Sequence, residues 1–180
     1  MSVSLHAQEA VLELDPAQTH IEFTLAAEIL HTVHGTFKLK SGTIRFDPGT
    51  GEASGLVVVD VASGESGSSS RDRKMHKDVL ESRKYPEATF TPLRVVGRLD
   101  AQGESTLQLS GIFNLHGKDH DLMLATTVRK EGDQLTASTH LLIPYVDWGM
   151  KNPSSLFLRV GSQVEIDVKA VGRMTVPTAK

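Results

Sequence analysis

Apolar and polar residues alternate along most of the chain with a period of two. Ile21, Phe23 and Leu25 alternate with Glu22, Thr24 and Ala26, and Phe37 and Leu39 with Lys38 and Lys40. Ile44 and Phe46 alternate with Thr43 and Arg45, and Val57, Val59 and Val61 stand around Val58 and Asp60. Leu107 and Leu109 lead through Gly111 to Phe113 and Leu115, and Leu122, Leu124, Thr126 and Val128 form another set. Val164, Ile166, Val168 and Ala170 alternate with Glu165, Asp167 and Lys169. Successive side chains of a strand point to opposite faces, so these runs predict strands with one apolar face each. Asp47-Pro48-Gly49-Thr50-Gly51, Lys40-Ser41-Gly42, Asp100 to Gly103 and Glu131-Gly132-Asp133 read as turns between them. Such short connections favour antiparallel neighbours. Many strands of this kind in one chain manage their edges by closing into a barrel or pairing as a sandwich.

One stretch departs from the alternation. Ser63 to Ser70 reads as a loop whose last serines can cap a helix, and Arg71 to Arg83 suits that helix, with Met75, Val79 and Leu80 on one side. Tyr85-Pro86 is read as its end, because a residue before proline avoids the helical region. Arg71, Arg73, Lys74, Lys77, Arg83 and Lys84 outnumber Asp72, Asp78 and Glu81 here. The basic surplus fits a solvated face, or a rim that attracts an anionic head group or a membrane surface.

A length of 180 residues suits one domain, read here as 10–176, with 177–180 as a tail. The net charge of −3 argues against general nucleic-acid binding. The absence of cysteine removes thiolate catalysis, cysteine zinc sites and iron–sulfur clusters. Leu5-His6-Ala7-Gln8-Glu9 looks like the tail of a secretory signal, so 1–9 is set apart from the fold and a periplasmic or secreted location is expected. No apolar run approaches the ~18 residues of a spanning helix.

Chemistry-bearing motifs are sparse. Gly-x-Ser-x-Gly, the phosphate-binding Gly-x-x-x-x-Gly-Lys-Ser/Thr and the dinucleotide Gly-x-Gly-x-x-Gly are all missing. His31 and His34, and His116 and His120, have spacings that share a face only on a helix, and the surrounding period is two. His116-Gly117 reads as part of a tight turn, and His20 as a hydrogen-bonded residue at a strand start. Phe23, Phe37, Phe46, Phe90 and Phe113 fall on the apolar side of their runs. They either fill a core or line a cavity, since a small barrel can do both.

Ordered pieces of the chain resemble the YceI-like family. They are Leu14-Asp15-Pro16-Ala17-Gln18-Thr19-His20-Ile21-Glu22-Phe23, His34-Gly35-Thr36-Phe37, Gly42 to Asp47, and Arg71-Asp72 through Leu80 followed by Tyr85-Pro86-Glu87-Ala88-Thr89-Phe90. Leu109 to Gly117 and Tyr145-Val146-Asp147-Trp148-Gly149-Met150 continue the series, so the resemblance covers about Leu12 to Gly172. It implies an all-β, lipocalin-like antiparallel barrel of about eight strands with one short helix inserted near 70–83. It further implies a long tunnel holding a polyisoprenoid, such as an isoprenoid quinone or polyprenyl chain, bound for carriage or storage without catalysis. No cofactor is required, and family likeness allows a homodimer and transient membrane contact. The expected apolar wall is Phe23, Leu25, Phe37, Ile44, Phe46, Phe90, Leu109 and Phe113, with Trp148 at or beside the mouth. His20, Arg71 and Asp72 are expected at the polar mouth or as anchors.

Two other readings stand beside this one. A barrel filled by its own side chains would serve as a stress-response or interaction module. A metal-assisted hydrolase would need three of His31, His34, His116 and His120 around one ion.

Overall fold

The computed structural model describes residues 9–27, 31–101, 103–155 and 159–176. The stretch set apart at the N-terminus, Glu9 excepted, and the tail lie outside them. The strands are β1 (Ala10–Leu14), β2 (His20–Ala27), β3 (His31–Phe46), β4 (Ala53–Glu65), β5 (Glu87–Val96), β6 (Gly103–Leu115), β7 (Lys118–Glu131), β8 (Gln134–Ile143) and β9 (Val164–Thr175). A helix, α1 (Ser69–Lys74), runs directly into a π-helical turn, Met75–Val79, between β4 and β5.

All pairings are antiparallel, in the order β3-β2-β9-β8-β7-β6-β5-β4, and β4 pairs back onto β3. The sheet is therefore closed and has no free edge. β1 and β2 share one position in the wall. Leu12 of β1 sits between Ile44 and Met174, and Phe23 of β2 between Gly35 and Ile166. The wall thus has eight positions, one of them interrupted by the turn at Asp15 to Thr19. Asp15 builds that turn by accepting from Gln18 Nε2 at 2.6 Å and Ala17 N at 2.8 Å. These two contacts, Gln18 first, hold its carboxyl below the ordinary carboxylate range.

Three local expectations are corrected. Lys40-Ser41-Gly42 is no turn. β3 continues through it, with register shifts against β4 at Thr36/Lys38 and Leu39/Ser41. These bulges bend a sixteen-residue strand around the barrel. A Cβ on Gly42 would come within 2.6 Å of Leu14 Cδ1, so glycine lets the interrupted position of the wall close against β3. The helical segment ends at Leu80, well before Tyr85-Pro86, because Glu81 turns into the left-handed region at φ 45°. Its start is not capped by a Ser68 side chain either. Instead Ser66 donates from its backbone N and its Oγ to Asp72 Oδ1. The Asp47 turn, the Gly132 turn and the His116-Gly117 turn lie where the sequence puts them.

The two ends of the barrel differ. At one end Ala10, Leu12, Leu107, Val128, Leu135 and Met174 form a buried cluster, with Phe46, Val95 and Leu99 packed against it. This is the floor. The other end, the rim, carries the α1 segment, the β6–β7 turn and the long β8–β9 connection. There Val79, Ile143, Tyr145 and Met150 make a second cluster. Among the described residues, no helix is long and apolar enough to cross a membrane.

Candidate functional site

Between floor and rim the barrel is hollow. The cavity holds about 650 Å³. Inward positions of the strands line it: Ile21, Phe23 and Leu25 on β2, Val57, Val59 and Val61 on β4, and Leu122 and Leu124 on β7. Leu141 and Ile143 on β8 and Val164, Ile166 and Val168 on β9 complete the far wall. Many of these, such as Leu109, Leu124 and Ile166, are only half-buried although they point inward. They face open space rather than each other, which a filled barrel would not allow. The filled-barrel reading is corrected on this ground.

Polar groups gather at the rim. Ser66, Ser68, Ser70, Arg71 and Lys74 contribute to the lining there. Arg71 donates from Nε to Ser66 Oγ at 2.7 Å and from Nη2 to Ser66 O at 2.8 Å. Lys74 Nζ donates to Pro153 O at 2.9 Å and ties α1 to the β8–β9 connection. His76 Nε2 lies 2.7 Å from Gly64 O and joins the π-helical turn to β4. Beyond it, His116 Nε2 lies 2.7 Å from Glu81 Oε2. Tyr85 packs on the same imidazole at 4.3 Å. The α1 segment is thereby fastened to three different parts of the rim. Deeper in the bore the polar lining consists of threonines. Thr139 donates to Ala125 O at 3.0 Å, and its cross-strand neighbour Thr126 is buried.

Of the eight residues expected in the wall, Phe23, Leu25, Phe37, Ile44, Phe90, Leu109 and Phe113 line the cavity. Phe46 does not. It lies one inward step beyond Ile44 on β3 and packs into the floor. Trp148 does not line the cavity either. It stacks on His120 with ring centroids 3.7 Å apart and leans on Phe113 at 6.1 Å. It therefore backs the wall near the rim. Arg71 lines the cavity at the rim, and Asp72 anchors the approach to α1. His20 is at neither place. It is exposed on β2, opposite Lys169, beside a shallow outer groove with His140 and Asp167.

The four-histidine metal site is corrected. His34 bonds to Thr24 Oγ1 and Thr32 Oγ1 on the outer wall, whereas His116 and His120 are held by Glu81 and Trp148. Among the described residues, no three His, Asp or Glu side chains converge as metal ligands.

The sequence expectation also missed wall residues. β8 was not anticipated, because its inward set is Leu135, Ala137, Thr139, Leu141 and Ile143, and Ala and Thr blur the alternation. Pro153 and Val160 at the rim carry no sequence signal of facing a cavity, whereas Met75, Val79 and Leu80, placed on one side of the helix, do face it.

A closed antiparallel barrel with an apolar bore and a polar rim is the architecture of a binding fold. The chain belongs to the YceI-like domain family, whose family model matches residues 12–172. A UPF0312 protein of Pseudomonas savastanoi pv. phaseolicola is 31% identical over 128 residues, 70% of this chain and 65% of that relative. The chain thus spans under two thirds of that relative's length. Among solved structures, BcnA of Burkholderia cenocepacia superposes with a TM-score of 0.70 at 20% identity, covering 88% of this chain and 98% of that one. A polyisoprenoid binding domain from Saccharophagus degradans gives a TM-score of 0.70 at 16% identity, covering 92% of this chain and 98% of that one. These two structures share the fold.

Proposed function

We propose that this protein binds a long apolar lipid, a polyisoprenoid in class, within the barrel and carries or stores it without chemical change. The observation that carries the reading is the hollow, almost wholly apolar bore of about 650 Å³ with its polar groups confined mainly to one end. Such a site rewards a hydrocarbon chain and offers little to a water-soluble metabolite. Burial yields about 0.8 kcal/mol per CH₂-sized group, so about twenty groups contribute ~16 kcal/mol before the cost of immobilisation. The polyisoprenoid binding named for the Saccharophagus degradans neighbour supports this choice of lipid class. Arg71 and Lys74 at the rim suit an anionic or strongly polar head group, and Arg71 spends only two of its five donors on Ser66. A periplasmic or secreted setting belongs to the same proposal.

The test is native mass spectrometry of protein purified from its own host, followed by solvent extraction. A retained adduct that extracts as an isoprenoid lipid is expected. Protein that is empty in repeated preparations would contradict the proposal.

A further inference from the structure

We infer that the lipid enters and leaves the bore sideways, through a seam between β7 and β8 on the rim half of the wall. This route rests on the lipid-binding reading above and adds the path by which the site fills.

The seam begins where a ladder stops. β7 pairs with β6 from Lys118 to Lys130, and β8 pairs with β9 from Gln134 to Ile143. With each other they pair only on the floor half, from Thr126 opposite Thr139 to Glu131 opposite Gln134. Residues 118–125 and 140–143 run on toward the rim, each stretch held by its other neighbour, and among the described residues no pairing between them resumes. The unpaired stretch of β8 alone is about 14 Å long at ~3.4 Å per residue. At the floor end of the seam, Ala125 O accepts from the Thr139 hydroxyl at 3.0 Å. At the rim end, Trp148 stacks on His120 and Lys118 Nζ lies 3.5 Å from Trp148 O. Two other ladders break off but close again. β2 and β9 rejoin at Ala27 and Val160, and β4 and β5 rejoin at Glu52 and Arg94 beyond the fully buried Pro92.

The side chains about the seam suit a hydrocarbon. Leu122, Leu124 and Leu141 line the bore behind it. Met123 and Leu142, which the register of the paired half sets opposite each other, are 70% and 49% exposed in front of it. On the paired half the same outer face carries Thr127, Arg129, Thr136 and Ser138 instead. Thr139 and Val168 border both the bore and the outer groove, so the two spaces adjoin at the floor end of the seam.

Parting a complete ladder strips a row of backbone N–H and C=O groups of their partners, each at a cost. Parting the seam breaks no ladder bond. The rim, by contrast, is tied across by Lys74 to Pro153 O and by His76 to Gly64 O. A chain drawn in sideways avoids threading end first, so its polar end can stay beside Arg71 while the tail folds inward.

The chain contains no cysteine, so Met123→Cys and Leu142→Cys together can be bridged selectively by a short bis-maleimide. The probe is a geranylgeranyl chain with a fluorescent group at its polar end, presented to the full, delipidated chain in phosphatidylcholine vesicles. Bridging the seam should slow uptake and release alike, by about tenfold or more, and leave Kd within roughly threefold. Bridging Glu22→Cys to Thr36→Cys, across the ladder of β2 and β3, should change neither rate. Unchanged uptake through the bridged seam, equal slowing by both bridges, or slowed uptake with unchanged release would each overturn the lateral route and leave lipid binding standing. Failure of the unbridged chain to take up the probe would overturn the lipid-binding reading itself, and the route with it. Should the cysteine variants not fold, amide hydrogen exchange on the unaltered chain decides. Alternate amides of 121–125 should exchange about tenfold or more faster than those of 127–130. Equal protection of the two stretches would show a closed ladder and contradict the seam.

Discussion

His120 lies flat against Trp148, and burial, helped by the nearby Lys118 charge, pushes its pKa below the ordinary 6.5. The folded state thus prefers the neutral imidazole. Its contribution to stability is complete above about pH 6.5 and is lost as pH falls through the lower folded value. Trp148 is the single tryptophan, so its emission reports the contact. Acidification should change that emission with a midpoint below 6.5, and His120→Phe should abolish the transition. Persistence of the transition in that variant would assign it elsewhere. Gly35 makes a steric demand at the same scale. A Cβ there would lie 2.3 Å from the Phe23 ring and from Glu65 O. Gly35→Ala must push Phe23 toward the bore, and a cost of about 1–3 kcal/mol in urea unfolding is expected. Facing directions at this scale were legible in the sequence, since seven of the eight named wall residues line the cavity. Trp148, expected at or beside the mouth from the resemblance rather than from the period of two, backs the wall near the rim.

The elements show where sequence signals mislead. Ser41-Gly42 has turn chemistry, yet β3 runs through it. Pairing with β4 on one side and with β1 on the other supplies more hydrogen bonds than a local turn would. The helical segment was placed correctly at its start and too long at its end. A tertiary contact, Glu81 with His116, stops it ahead of the proline signal. Ser66 and Asp72 do the work assigned to the serine cap. Asp72→Ala leaves both Ser66 donors without their acceptor, which costs about 1–3 kcal/mol locally. Hydrogen exchange should quicken from Ser66 through Leu80 and stay unchanged in β6 and β7. Equal acceleration throughout the barrel would show that Asp72 supports the whole fold rather than the rim.

For the whole molecule, alternation and short turns predicted antiparallel strands but left a barrel and a sandwich open, and the family resemblance pointed to the closed wall that the structure has. These signals were not enough to say how far along the bore each inward residue sits. That depends on tilt and register, which is why Phe46 was expected in the wall and is found in the floor. Hollowness itself has no local signature. It appears only when eight wall positions are assembled and their inward side chains fail to meet. The central claim is that an isoprenoid chain lies inside this space and not on the outer surface. Adjacent residues of opposite facing test it directly. Leu124 and Leu141 line the bore, while Met123 and Leu142 are 70% and 49% exposed outside it. With a spin-labelled prenyl chain bound, methyl relaxation by NMR should broaden Leu124, Leu141 and Ile166 and spare Met123 and Leu142. Broadening of the outer pair with sharp inner methyls would contradict internal binding.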